Sequence, residues 1–264
     1  MTEKVKVFLL AASLGVAMFA LTGCSEGDWK AIGQTLDELA AQGREIRLQR
    51  EAEQRERQRQ REAEEKQTRR QYEVKINELT KNVTQAIKPT HPTVRTYALR
   101  LARQYPGPRN PLQVKRIWYH VKRNWRYVSD PRGGDYFAPA NETIEAGLAG
   151  DCDDFAILLA SLIEAIGGDA RIVLAFGPGS GHAYCELWMG MGVRDGPAIR
   201  GGPYYREYGE YYDTLEKKDV DMYWHKGPGQ DNCWLNLDWW TDYPGGPFVK
   251  ATREVFIYPD GTWE

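Results

Sequence analysis

The sequence predicts an α+β domain behind a leader and a charged stalk, and three observations carry that expectation. Aromatic residues make up 12% of the chain, with nine Trp and fifteen Tyr, and they fall almost entirely after residue 97. One apolar segment, from about Cys152 to Ile166, repeats its large side chains at 3.6-residue spacing. Beyond it, apolar residues come in short strand-like runs. Helices first and strands afterwards imply a helix packed on an antiparallel sheet. The expected division is 1–23 leader, 24–88 charged helical stalk and 89–264 globular domain.

Lys4 and Lys6 precede an uncharged apolar stretch, Val7 to Gly23, which is short for a spanning helix and of signal-peptide length. It ends in Leu21-Thr22-Gly23-Cys24, which resembles the bacterial lipobox. That resemblance implies a diacylated Cys24 at the start of the mature chain, with fatty acyl groups such as palmitate holding it to a membrane outside the cytoplasm. Ser25, rather than Asp, follows the cysteine, which favours the outer membrane of a Gram-negative envelope.

From Arg44 to Arg70 the chain is nearly all Arg, Glu and Gln, and between Gln49 and Gln71 the only apolar residues are Ala52 and Ala63. A coiled coil needs apolar residues at two of every seven positions, so this stretch has no seam to bury, although Leu36, Leu39, Ile46 and Leu48 permit brief pairing at its start. Acid-first pairs four apart, among them Glu51/Arg55, Glu53/Arg57, Glu62/Lys66 and Glu65/Arg69, predict a solvated helix. Pro89 and Pro92 mark the entrance to the domain.

Two helical patterns open the domain, one around Val94, Tyr97, Ala98 and Leu101, the other after Asn110-Pro111, where Asn caps and Pro fits the first turn. A Gly/Asp/Pro-rich loop, Ser129 to Ala140, leads to the helix at Cys152, which Gly167-Gly168 stops. The strand-like runs are Ala170 to Phe176, His182 to Met189, Trp234 to Trp240 and Val255 to Tyr258.

Gly150-Asp151-Cys152-Asp153-Asp154 puts a thiol in the first turn of the buried helix, where free N–H groups and the positive dipole end favour a thiolate. The competing influence is the three carboxylates, which oppose a thiolate if they point at it and cap the helix if they do not. His182 heads a strand after the turn Gly177-Pro-Gly-Ser-Gly181. Strand alternation puts Trp234, Asn236, Asp238 and Trp240 on one face, so His182 and Asp238 can meet across neighbouring strands. A neutral histidine takes the thiol proton or pairs with the thiolate, and a carboxylate on its other nitrogen fixes the tautomer.

In Gly-Asp-Cys152-Asp-Asp-Phe-Ala-Ile-Leu-Leu-Ala, Gly-His182-Ala-Tyr-Cys-Glu and Trp-Leu-Asn-Leu-Asp238 the chain resembles the transglutaminase-like fold of the papain-like cysteine enzymes, over roughly residues 92 to 245. The resemblance implies a catalytic Cys152, His182 and Asp238, thioester chemistry on a protein or peptide substrate in the envelope, and no cofactor. It covers a cysteine protease, an amidase, or an acyltransferase that uses an amine as acceptor. A Tyr/Gly/Asp-rich excursion, residues 190 to 232, separates the histidine and aspartate motifs. The alternative is a catalytically silent binding or scaffold module that keeps the fold.

Net charge is −2 and the pI about 6.2, so no basic field draws the chain to nucleic acid. His91, His120 and His225 lack the paired spacing of metal ligands, and no metal is expected. Trp125 and Tyr127 read as core packing, with cleft lining or donation to the oxyanion the other options. With His182 aligned opposite Asp238, Cys185 and Cys233 fall diagonally across two strands, which allows a disulfide or leaves two buried thiols.

Overall fold

The structure, a computed structural model, describes residues 25–108, 110–130, 136–178, 180–191, 224–226 and 232–264. The leader and Cys24 lie outside these, as does nearly all of the 190–232 excursion. The chain divides into two units, Met1–Tyr72 and Glu73–Glu264. Among the described residues, no helix is long and apolar enough to cross a membrane.

Apart from Ser25, the described residues of the first unit belong to one helix, α1, Glu26–Ala86. Glu, Arg, Gln and Ala are strong helix formers, so backbone propensity supports it where no tertiary face exists. Glu53 and Arg57 form one of the expected acid-first pairs, at 3.7 Å with both side chains well exposed. An exposed pair of this kind adds only about 0.3–0.5 kcal/mol. Leu36, Leu39, Ile46 and Leu48 are exposed.

The second unit includes the last turns of α1, from Glu73. Ile76, Val83 and Ala86 are buried there and share one helical face, which packs into the domain. Helix α2, Pro92–Ala102, is capped by His91, whose Nδ1 accepts from the Thr93 backbone. Helix α3, Pro111–Asn124, is capped by Asn110, whose Oδ1 accepts from the Leu112 N–H at 2.9 Å, with Pro in the first turn as expected. A short helix, α4, Ala140–Glu145, ends at Gly147 and Leu148, both left-handed (φ 77° and 63°). That reversal delivers strand β2, Ala149–Gly150, parallel to β1, Arg126–Tyr127, a small pairing the sequence did not indicate.

Helix α5, Cys152–Ala165, packs against α2, α3 and α4 as well as against the sheet. Burial from all sides explains its near-continuous apolar run, Phe155 to Ile163. The sheet holds β3, Ala170–Gly177; β4, Ser180–Met191; β5, Trp224–Lys226; β6, Asn232–Asn236; and β7, Arg253–Ile257. Their order is β5-β6-β4-β3-β7 and every neighbouring pair is antiparallel. One sheet face carries Ile172, Leu174, Ala183, Cys185 and Leu187, all buried. The other carries Val173, Ala175 and Tyr184, with Phe256 of β7 beside Val173, and packs against Phe248, Val249 and Ala251.

The β4–β6 register differs from the alignment that set His182 opposite Asp238. Glu186 pairs with Asn236 and Leu187 with Leu235, and β6 ends at Asn236, two residues before the aspartate. The same register separates the cysteines. Cys233 pairs with Gly190, five residues along β4 from Cys185. At 3.3 Å per residue that is about 17 Å, well beyond the roughly 7 Å Cα separation a disulfide can span. Both are buried, and no bond joins them.

Candidate active site

Cys152 is the first residue of α5 and is half-buried. The turn before it is fixed by a capping box. Asp151 accepts from the Asp153 N–H at 3.3 Å, while Asp154 accepts from the Asp151 N–H at 3.2 Å and from the Ala138 N–H at 2.8 Å. Gly150 is needed for that closure, because a Cβ there would strike the Asp154 side chain. Asp151 and Asp154 therefore bind backbone donors, as the sequence suggested, whereas Asp153 does not. Oxygens of all three lie within 4.8 Å of one another, and the helix start accounts for that clustering.

The conflict between these acids and a thiolate is eased by protonation. Burial, reinforced by the Asp151 charge, holds Asp153 well above the ordinary carboxylate range. It therefore adds little negative charge beside the sulfur near neutral pH. Burial raises Asp154 to about 6, although its two backbone hydrogen bonds oppose the rise.

His182 is near the start of β4, opposite Ala175 of β3. Its Nε2 meets Asp238 Oδ2 at 2.8 Å, and its ring hydrogen-bonds the Cys152 side chain. Because the aspartate takes Nε2, Nδ1 is the nitrogen left for the sulfur. Burial alone would depress the imidazole. The Asp238 and Cys152 hydrogen bonds and both negative charges outweigh it and raise His182 to about 9.

Asp238 sits in the turn after β6, not on a strand. Its N–H donates to Asn236 Oδ1 at 3.0 Å, its Oδ1 accepts from the Trp240 N–H at 3.1 Å, and its carbonyl accepts from the Thr241 hydroxyl at 2.9 Å. Asn236 is anchored in turn by donating to the Gly246 and Pro247 carbonyls. From α3, the Trp118 indole donates to the Leu237 carbonyl at 3.0 Å, and Lys122 donates to the Thr241 carbonyl. The carboxylate is 1% exposed, and this turn aims it at the imidazole.

A cleft of about 660 Å³ opens over the thiol, lined among others by Tyr127, Cys152, His182, Trp239, Trp240 and Lys250. Tyr127, read from sequence as core, instead forms a cleft wall. Burial and the neighbouring Cys152 raise its phenol above the usual value. Trp125 packs edge-on against Phe155, with ring centroids 5.1 Å apart, as core packing predicts. Trp239, Trp240 and Lys250 were not singled out in the sequence as cleft residues, although the Asp-Trp-Trp run stood beside the aspartate.

Sequence reasoning also missed a buried charge cluster on the sheet. Arg171 Nε donates to Glu186 Oε2 at 2.8 Å with both side chains fully buried, and Glu186 Oε1 meets His225 Nδ1 at 2.6 Å. His225, expected at the surface or in packing, is half-buried here and stacks on Phe248 with centroids 3.9 Å apart. Arg and Glu in the middle of otherwise apolar strands were the available signal, since buried charges are found in pairs.

A thiol at the head of a buried helix, an imidazole on the sheet beside it and a carboxylate behind the imidazole make up the candidate site. Residues 95–206 match the model of the transglutaminase-like superfamily. That span includes Cys152 and His182 and stops before Asp238. Among solved structures, the chain is similar to a candidate cysteine protease from Cytophaga hutchinsonii, at 23% identity and a TM-score of 0.30. The alignment covers 36% of this chain and 32% of that one, so it spans about a third of the other protein. No curated protein matches the sequence.

Proposed function

We propose that this chain is a cell-envelope lipoprotein whose transglutaminase-like domain performs acyl transfer through a Cys152 thioester on a protein or peptide amide. The observation that carries the reading is His182, hydrogen-bonded by Asp238 on one side and Cys152 on the other, and raised to about 9. Such an imidazole is protonated at neutral pH and puts a positive charge beside the sulfur, and the species that attacks is the thiolate of this ion pair.

The sulfur attacks the amide carbonyl carbon, and the backbone N–H of Cys152 is aimed at the oxyanion that develops. The C–S bond forms, the C–N bond breaks, and the imidazolium proton passes to the departing amine. Water then adds to the thioester and gives its proton to the neutral imidazole. The C–S bond breaks, the carboxylic acid leaves and the ion pair returns. An amine in place of water yields a new amide. Water is the default acceptor in a cleft open to solvent. Asp238 holds the ring orientation throughout.

The test is alkylation by iodoacetamide at pH 7. Native protein is expected to label at Cys152 faster than a free model thiol, with Cys185 and Cys233 protected by burial. Denatured without reductant, both of these are expected to label fully. A native Cys152 rate no faster than the model thiol would refute the proposal. For the anchor, cells grown with labelled palmitate are expected to yield labelled protein that partitions into membranes, and Cys24→Ala to abolish both. Unlabelled wild-type protein would remove the lipoprotein part and leave the chemistry standing.

A further inference from the structure

Three aromatic rings stand on one side of the cleft. Tyr127 is 52% exposed and Trp240 70% exposed. Tyr127 stacks on Trp239 with centroids 5.3 Å apart and planes at 29°, and Trp239 meets Trp240 edge-on at 5.5 Å and 87°. The rings come from two distant segments. Tyr127 is fixed by β1 pairing with Gly150, two residues before the thiol, and the tryptophans directly follow Asp238. Both segments are thus held to the same atoms that hold the reaction centre.

The remaining described lining includes small residues. Gly177 and Gly181 are among them, and a Cβ placed on Gly181 would have no heavy atom within 4 Å. No carboxylate is among the described lining residues, while Lys250 and the protonated His182 are cationic. A cationic side chain of a substrate has no partner there. A flat apolar one finds a ring face to stack on and a perpendicular ring beside it. Exposed aromatic surface gathered at one mouth marks a binding site, and offset or edge-to-face ring pairs reward an aromatic guest beyond the area it buries.

Resting on the thioester reading, we propose that this wall is a specificity subsite for an aromatic side chain of the acyl donor, next to the carbonyl that Cys152 attacks. Tyr127 and Trp240 supply the contact and Trp239 holds them in place. The substrate class is then a peptide with Phe, Tyr or Trp beside the reacting amide.

The experiment compares inactivation of the full-length protein by peptidyl acyloxymethyl ketones that differ only in the side chain beside the ketone, with iodoacetamide as the reagent that lacks one. The Phe reagent is expected to react about tenfold faster than the Gly reagent, and the Lys reagent no faster than Gly. In Trp240→Ala and Tyr127→Ala the Phe-to-Gly ratio is expected to fall towards one. Both positions are exposed, and Trp240→Ala keeps the backbone N–H that Asp238 uses. Tyr136→Ala, an exposed aromatic outside this cleft, is expected to keep the wild-type ratio. Equal Phe and Gly rates, a ratio untouched by both cleft variants, or a stronger response to a reagent carrying a sugar ring would overturn the subsite. If iodoacetamide still labels Cys152 rapidly in that case, only the subsite fails. If iodoacetamide is slow as well, the thioester reading fails with it.

Discussion

Cys152→Ala is expected to lower turnover of an amide donor on the order of 10⁶-fold, because no other group in the cleft is placed to form the acyl intermediate. Folding is expected to survive, since the thiol is half-buried and makes no contact on which α5 depends. The capping box belongs to Asp151 and Asp154. Circular dichroism and the thermal midpoint separate lost chemistry from lost structure. Turnover equal to wild type would remove Cys152 from the reaction.

Asp238→Asn makes the same point through pH. With Asp238 present, the acid that protonates the leaving amine is lost as pH rises through about 9, so kcat/KM should fall along an alkaline limb there. Asn removes the charge that holds His182 up and, with its oxygen kept on the Trp240 N–H, turns an amide donor to the ring where a carboxylate oxygen accepted, so burial then acts with less opposition. The limb is expected to move to lower pH, with a loss in kcat on the order of 10⁴-fold from the disturbed tautomer. The sign for stability is the same. His182 titrates near 6.5 when unfolded and about 9 when folded, so its contribution is complete below 6.5 and lost as pH rises through 9. An unmoved limb in the Asn variant would assign it to another group.

The largest stability effect is expected at Arg171. Its guanidinium lies 4.4 Å from the Trp234 ring centre and 4.2 Å from that of Phe256. It also donates to the Tyr258 hydroxyl and to Glu264. Arg171→Ala strands the Glu186 carboxylate in the interior with His225 as its remaining partner and is expected to cost about 3–5 kcal/mol. Adding Glu186→Gln should recover part of that, because the stranded charge is what dominates. Urea unfolding of the two single variants and the double variant measures the coupling. Additive losses would show that the pair does not act as a unit.

Much of this was legible in the sequence because it is written in local patterns. The 3.6-residue spacing of Phe155, Leu158, Leu159 and Leu162 marked the buried helix, Asn110-Pro111 marked a helix start, and the segment around Cys152 marked a nucleophile at a helix head. The helix and its thiol-bearing first turn follow from backbone geometry and capping within a few residues, so one chain suffices to read them; the nucleophile role given to Cys152 belongs to the proposal. The register of β6 on β4 was not legible, nor was the end of β6 at Asn236. Both depend on how distant segments pair and on hydrogen bonds such as Trp118 to Leu237, between residues far apart in the chain.

The sequence by itself determined that a thiol, an imidazole and a carboxylate stand in this order, with the thiol heading a buried helix. Only the tertiary structure decided that Asp238 reaches His182 from a clamped turn instead of a neighbouring strand, that Cys185 and Cys233 lie too far apart to bond, and that Tyr127 and Trp240 share the thiol's cleft. The reason is physical. Capping and helical periodicity act over a few residues, whereas register, burial of charge and the shape of a cleft are set by contacts between segments that meet only when the sheet closes on α5.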